Sequence, residues 1–330
     1  MRHELREKLE LFIRNAETIR KGINMTSGED RRMAALLYAV NGRSMDREKV
    51  ENSYAVLKKG TGVLSPFRYT TSLSAAAILS LGTDPKGTLD NAVAVYGMLR
   101  DAKFRSSEFL AMASLQIATG AEPKDHRTMV TRMRSFYDSM KAKNWIHTGT
   151  DDYILAAMFA LSGADEKSAV DRIGDLYQRL KPQFASKGNV LALAQVMVIG
   201  GQTGPLAADR IITLRNVLKA KKIRLDRSYS IPTLGLLSQL QVNAEIIAQE
   251  IRDAEIFLRE QEGMGPLRVS KAEIELYAAA MTAAVYSKED ESGLIAASVS
   301  TTITNILVAQ MMLIIIIVAA SAASVAAASG

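Results

Sequence analysis

One short stretch carries the side chains best suited to chemistry. Trp145, Ile146, His147, Thr148, Gly149, Thr150, Asp151 and Asp152 follow one another, and they include the only tryptophan and one of three histidines. Two carboxylates beside an imidazole are the residue types of general acid–base work, and a tryptophan beside them is the type that anchors an interface. A second group of the same kind is Asp226, Arg227 and Tyr229. Adjacent carboxylates also have a plainer reading. At a helix start, Thr148 or Thr150 with Asp151 or Asp152 make a cap, while Trp145 plugs the gap between neighbouring helix pairs.

Much chemistry is excluded by what the sequence lacks. There is no G-x-x-x-x-G-K-[ST] phosphate loop, no G-x-G-x-x-G, no H-E-x-x-H and no G-x-S-x-G elbow. No cysteine is present, which removes disulfides, zinc-thiolate sites and thiol nucleophiles and fits a reducing cytoplasm. His3, His126 and His147 are far apart in sequence, so no metal site is expected, and no motif calls for a cofactor. The net charge of +6 is spread over 41 bases and 35 acids, too diffuse to argue for nucleic acid. The N-terminal stretch is charged and has no apolar signal-peptide core.

The elements that must position these residues are helical hairpins. Thr148 to Lys181 is one whole copy. Its first half has polar residues ahead of an apolar run closing on Gly163, and reads as a capped short helix with a left-handed end. Its second half is amphipathic, with Val170, Ile173, Leu176, Tyr177 and Leu180 at helical spacing, acids at the start and bases at the end. Gly42, Gly82, Gly120, Gly163 and Gly201 recur at steps of about 40 residues, the range of paired-helix repeats. A second landmark keeps the same beat: Leu57, Leu99, Met140, Leu180, Leu218 and Leu258 close the second helices, and in the first four a tyrosine stands three residues earlier. The spacing predicts an all-α chain of six to seven tandem antiparallel helix hairpins. They would form an α/α solenoid, with closure toward an α/α toroid as the alternative.

Residues 1–24 read as an amphipathic capping helix of a hairpin domain spanning 1–290. First helices are expected at Met33 to Val40, Thr70 to Leu81, Phe109 to Thr119, Tyr153 to Ser162, Val190 to Ile199, Ile231 to Leu240 and Ile274 to Tyr286. Second helices are expected at Met45 to Lys59, Gly87 to Arg100, His126 to Lys141, Ser168 to Leu180, Ala207 to Lys219 and Ala244 to Gln261. Ser27 to Asp30 should cap the first hairpin, Asp84 with Pro85 the second helix of the second, and Ser270 with Glu273 form a capping box. Residues 291–330 are different, an apolar segment with an Ala/Ser-rich end and no charge from Ser292 onward. Either Leu294 to Met312 is the buried partner of the seventh first helix, or Ile306 to Ala328 is a membrane tail anchor of roughly 20 residues.

The hairpin motifs FRYTTSLSAAAILSL, FRSSEFLAMASLQI and HTGTDDYILAAMFALSG, with the Ala/Ser tail, resemble a bacterial family catalogued as domain of unknown function 4003. The resemblance spans nearly the whole chain and implies no activity, cofactor or site.

Function rests on position. First helices should all begin on one edge, which gathers Trp145, His147, Asp151, Asp152, Asp226, Arg227 and Tyr229 with Lys58, Lys59, Arg100, Lys103, Lys141, Lys143, Lys219, Lys221 and Lys222. Acids at helix starts and bases at helix ends also follow from dipole matching alone, so a nucleic-acid rim is not the favoured reading. The expectation is a non-enzymatic interaction scaffold with a protein or peptide partner, a membrane contact resting on the tail. The competing expectation is an α/α-barrel enzyme with a carboxylate-lined site on that edge.

Overall fold

A computed structural model describes residues 1–21, 27–144, 148–240, 242–287 and 309. Among these residues there are fourteen α-helices, five short 3-10 turns and no strand. The helices are α1 (His3–Arg20), α2 (Gly28–Val40), α3 (Arg47–Gly60), α4 (Ser72–Leu81), α5 (Pro85–Asp101), α6 (Glu108–Gly120) and α7 (His126–Asn144). They continue with α8 (Tyr153–Leu161), α9 (Glu166–Leu180), α10 (Lys187–Ile199), α11 (Gly204–Ala220), α12 (Ile231–Ser238), α13 (Ala244–Arg259) and α14 (Lys271–Tyr286). Every first and second helix expected up to Tyr286 is present; α2 and α10 begin earlier than their apolar runs and α12 ends earlier. Trp145, His147 and the whole segment discussed as buried helix or tail anchor, apart from Ala309, lie outside the described residues. Among the described residues no helix is long and apolar enough to cross a membrane.

The described helices divide between two compact units. One comprises Met1–Arg14, Ala39–Arg43 and the described part of Ser168–Gln310; the other comprises Asn15–Tyr38 and Ser44–Lys167. In the second of these, α3 packs on α4, α5 on α6 and α7 on α8, while α6 also meets α8, α3 meets α5 and α5 meets α7. The first repeats the scheme with α11 on α12, α13 on α14, α10 against α12, α12 against α14 and α11 against α13. Even-numbered helices therefore neighbour even-numbered ones, and odd-numbered helices their own kind.

Composition explains the two environments. From α4 onward the even-numbered helices are largely apolar on all sides: every residue of α8 from Tyr153 to Ala160 and every residue of α12 is buried. Several of their hydroxyls fold back on their own helix, as Ser114 Oγ donates to Ala111 O (2.8 Å) and Thr282 Oγ1 to Ala278 O (2.8 Å), which satisfies them within the helix. The odd-numbered helices bury one stripe. On α9 the stripe includes Val170, Ile173, Leu176, Tyr177 and Leu180, and the six landmark residues from Leu57 to Leu258 are all buried at 1% exposure or less.

Close approach and helix ends account for most of the special residues. A Cβ on Gly235 would lie 2.8 Å from Leu193 Cδ1 and 3.3 Å from Leu193 O, so glycine lets α10 and α12 touch. Gly163 sits at φ +70° after α8, the left-handed end its position predicts, whereas Gly82 has an ordinary negative φ. Two lysines take the left-handed position instead: Lys103 (φ 67°) after α5 and Lys222 (φ 63°) after α11. Both close a Schellman motif, with Phe104 N–H donating to Leu99 O (3.1 Å) and Ile223 N–H to Leu218 O (2.9 Å). Bases complete the even-numbered ends. Arg132 on α7 donates to Ala160 O and Ala164 O, and Arg210 on α11 to Leu240 O. In the first-named unit Lys8 donates to Ala39 O and Val40 O, and Phe12 stands edge-on to Tyr277 at 5.4 Å.

Candidate functional site

The described part of the 145–152 stretch is tightly built. Asp152 is 4% exposed, and its Oδ2 accepts from the Gly149 N–H at 2.8 Å, which fixes the 3-10 turn Thr150–Asp152 that leads into α8. The bond runs back from the third residue of the turn to the residue before it, half of a capping box. Asp151 beside it is exposed; desolvation by neighbouring protein raises its carboxyl pKa, against a backbone hydrogen bond that pulls it down.

Behind Asp152 lies an aromatic trio. Phe104, Tyr137 on α7 and Tyr153 have ring centroids 5.0 to 5.5 Å apart, and the Arg134 guanidinium lies 4.3 Å above Phe104 and 4.8 Å from the Tyr137 centroid. Burial first, then the neighbouring Tyr153 and Asp152, push the Tyr137 hydroxyl up to about 12. Arg105 N–H donates to the Tyr153 hydroxyl at 3.3 Å. A buried phenol that holds its proton this firmly has no role as a base near neutral pH.

The other unit carries charge in the same register. Tyr137 stands three residues before Met140; three residues before Leu218 and Leu258 stand Arg215 and Glu255. Arg215 lies over Phe184 (4.9 Å), with its Nε 3.7 Å from Asp226 Oδ2. Arg224 Nε donates to Asp226 Oδ1 at 2.9 Å, and Arg224 N–H to Glu275 Oε2 at 3.1 Å. Lys271 Nζ is 3.4 Å from Glu275 Oε1, and Arg252 binds Glu255 at 2.7 Å. Burial opposes ionisation of Asp226, yet the Arg224 hydrogen bonds and the charges of Arg224 and Arg215 outweigh it and hold the carboxyl below its ordinary value. Glu275 is raised, first by burial and then by the nearby Glu255 carboxylate, against the pull of Arg224 N–H and Lys271.

Of the expected site residues here, Asp226 is drawn into this network, Arg227 is exposed and Tyr229 is half-buried. Arg215, Glu255 and Glu275 were not singled out from sequence, although the loss of tyrosine at the first two positions is visible there. Among the described residues no group of three or more His, Asp or Glu side chains could hold a metal ion.

A groove of about 580 Å³ opens between α11 and α13 over the end of α12, within the size range of ligand clefts. Leu214, Leu237, Leu240 and Ile247 form its buried floor, and Asp209, Arg210 and Gln202 its polar margin. Leu206 stands at the rim, 78% exposed. Twelve residues before the six landmarks stand Met45, Gly87, Thr128, Ser168, Leu206 and Ile246; Met45 is buried, so only the last two put an exposed apolar side chain there. Ile246 on α13 is 49% exposed.

No curated protein and no solved structure matches the chain. A family model described as protein of unknown function (DUF4003) matches residues 17–312, nearly the whole length. The chain belongs to the DUF4003 family.

Proposed function

We propose that the chain is a non-enzymatic scaffold of tandem helix hairpins that holds a protein or peptide partner in the α11/α13 groove. The observation that carries this reading is Leu206: an exposed leucine on the outer margin of an apolar groove, at a register position that the three preceding hairpins fill with glycine, threonine or serine and the first with a buried methionine, Met45. An exposed leucine over a floor of buried leucines offers a partner side chain apolar contact on two sides, and Arg210 and Asp209 give the margin polar contacts that set orientation. The hairpin-repeat reading is supported by the alternation of all-round apolar and amphipathic helices within each unit. The absence of cysteine suits a reducing cytoplasm.

The test is retention of a partner by the tagged full chain in its native host, compared with Leu206→Asp. Because Leu206 is exposed, the charge should not disturb folding. Loss of one specific protein with an unchanged melting temperature supports the proposal; full retention by the variant refutes it.

A further inference from the structure

The turn between α3 and α4 has the wrong residues for an ordinary loop. Ser65 N–H donates to Gly62 O at 3.0 Å, closing a β-turn whose two central residues are Val63 and Leu64. Central turn positions are normally filled by Pro, Gly, Asn, Asp or Ser, which fit the bend and face water without cost. Val63 and Leu64 are instead 77% and 82% exposed, and Tyr69 nearby is 47% exposed.

The tip is held firmly in place. The Tyr69 hydroxyl donates to Leu64 O (2.9 Å), Arg68 N–H to Ser65 O (2.9 Å) and Arg68 Nη1 to Thr61 O (3.4 Å). Phe67 is buried and lies 5.6 Å from the Tyr96 ring on α5, so it anchors the base of the turn. Two large apolar side chains are thus presented outward by a preorganised support, with little ordering left to do on contact.

The surroundings are basic. Thr70 N–H donates to Glu108 Oε1 at 3.2 Å, and the Tyr96 hydroxyl meets Ser106 Oγ at 2.8 Å, which brings the α5–α6 connection beside the tip. Residues 58–70 and 100–108 together contain Lys58, Lys59, Arg68, Arg100, Lys103 and Arg105 against Asp101 and Glu108. Glu108 is occupied by Thr70.

We propose that the Val63–Leu64 turn is a membrane-contact tip that inserts into the interface of an anionic lipid surface, with the surrounding bases on the headgroups. Exposed apolar residues on a turn whose flanking segments carry an excess of bases match the two components of interfacial lipid binding, acyl burial and attraction to anionic headgroups, and Tyr69 is a residue type that favours the headgroup level. A convex tip fits a deformable layer, whereas a protein partner would need a cavity shaped to receive it.

The test is co-sedimentation of the full chain with vesicles of mixed phosphatidylcholine and phosphatidylglycerol, against phosphatidylcholine alone. Binding should require the anionic lipid and weaken with salt. Val63→Ser combined with Leu64→Ser should lower the partition coefficient about tenfold or more at an unchanged melting temperature, since two buried apolar side chains are lost. Lys58→Gln combined with Lys59→Gln should reduce the salt dependence, and Leu206→Ser should change nothing. Residues 292–330 are common to all variants, so any lipid affinity of that uncharged segment cancels. Should the double variant fail to fold, Val63→Cys provides a second readout: the chain has no other cysteine, and an environment-sensitive label there should shift to the blue with anionic vesicles only. Wild-type chain that ignores anionic vesicles, partition unaffected by the serine variant, or loss of a protein partner with no change in partition would each overturn the proposal.

Discussion

Asp30 on α2 holds Ser74 on α4 twice over: its Oδ1 accepts from the Ser74 backbone N–H at 3.0 Å and from the Ser74 hydroxyl. Oδ2 accepts from Leu73 N–H, also at 3.0 Å, so one carboxylate from one hairpin caps the start of a helix in the next. Its own helix is capped by Ser27, whose Oγ accepts from Asp30 N–H.

Burial pushes the Asp30 carboxyl up to about 6 despite these bonds. A carboxyl whose folded pKa is raised contributes stability that is fully present below its unfolded value near 4 and is lost as pH rises through about 6. Going from pH 4 to 7 should therefore cost roughly 3 kcal/mol at this residue. Asp30→Asn removes that dependence: the difference in urea-unfolding free energy between wild type and variant should narrow or reverse as pH rises over that window. A difference that stays constant with pH would show that Asp30 is not titrating there.

The reach of the sequence is clear at this same residue. Helix periodicity, Asp84 ahead of Pro85 and the Ser270–Glu273 box are local patterns, and each appears as expected, with Gly87 N–H on Asp84 (2.9 Å) and reciprocal bonds between Ser270 and Glu273. Asp30 was legible as part of a cap, but the donors its carboxylate accepts from lie more than 40 residues away, and no local pattern fixes such a pairing. The Leu206 groove was equally hidden, because Leu206 falls just before the helix expected at Ala207 to Lys219, and its exposure beside an apolar floor depends on neighbours distant in sequence.

Arg224→Ala should destabilise the chain by about 1 kcal/mol at neutral pH, since it leaves the mostly buried Asp226 carboxylate with only the more distant Arg215. Asp226 has a lowered pKa, so the stability it supplies is present above its unfolded value and is lost as pH falls through the folded one. The wild-type advantage should accordingly shrink on acidification below pH 4, measured by denaturant titration at several pH values. A deficit that does not change with pH would assign the loss to packing of the Arg224 stem instead.

Lys222→Gly should raise stability by roughly 0.5 to 1 kcal/mol. The left-handed backbone costs lysine more than glycine, and that gain exceeds the extra freedom glycine has in the unfolded chain. The Lys271 contact to Lys222 O survives because it uses the backbone. Thermal unfolding measures the gain, and a lower melting temperature would mean that the Lys222 side chain contributes more than its backbone strain costs.

Leu180→Ala should cost about 2 to 5 kcal/mol, because Leu180 is fully buried at the end of the α9 stripe and its removal leaves a cavity. Urea unfolding of the two proteins gives the difference; a loss below about 1 kcal/mol would show that the stripe is not packed as described.

The interaction reading is tested most directly by a photo-reactive side chain placed at position 206 in the full chain, expressed in its native host, with position 93 as control. Val93 on α5 is also exposed but lies outside the groove. A specific protein crosslinked from position 206 and not from 93, and lost when Ile247 on the groove floor is replaced by Ala at retained folding, is the predicted result. Equal crosslinking from both positions, or none from 206, would contradict the groove as a partner site.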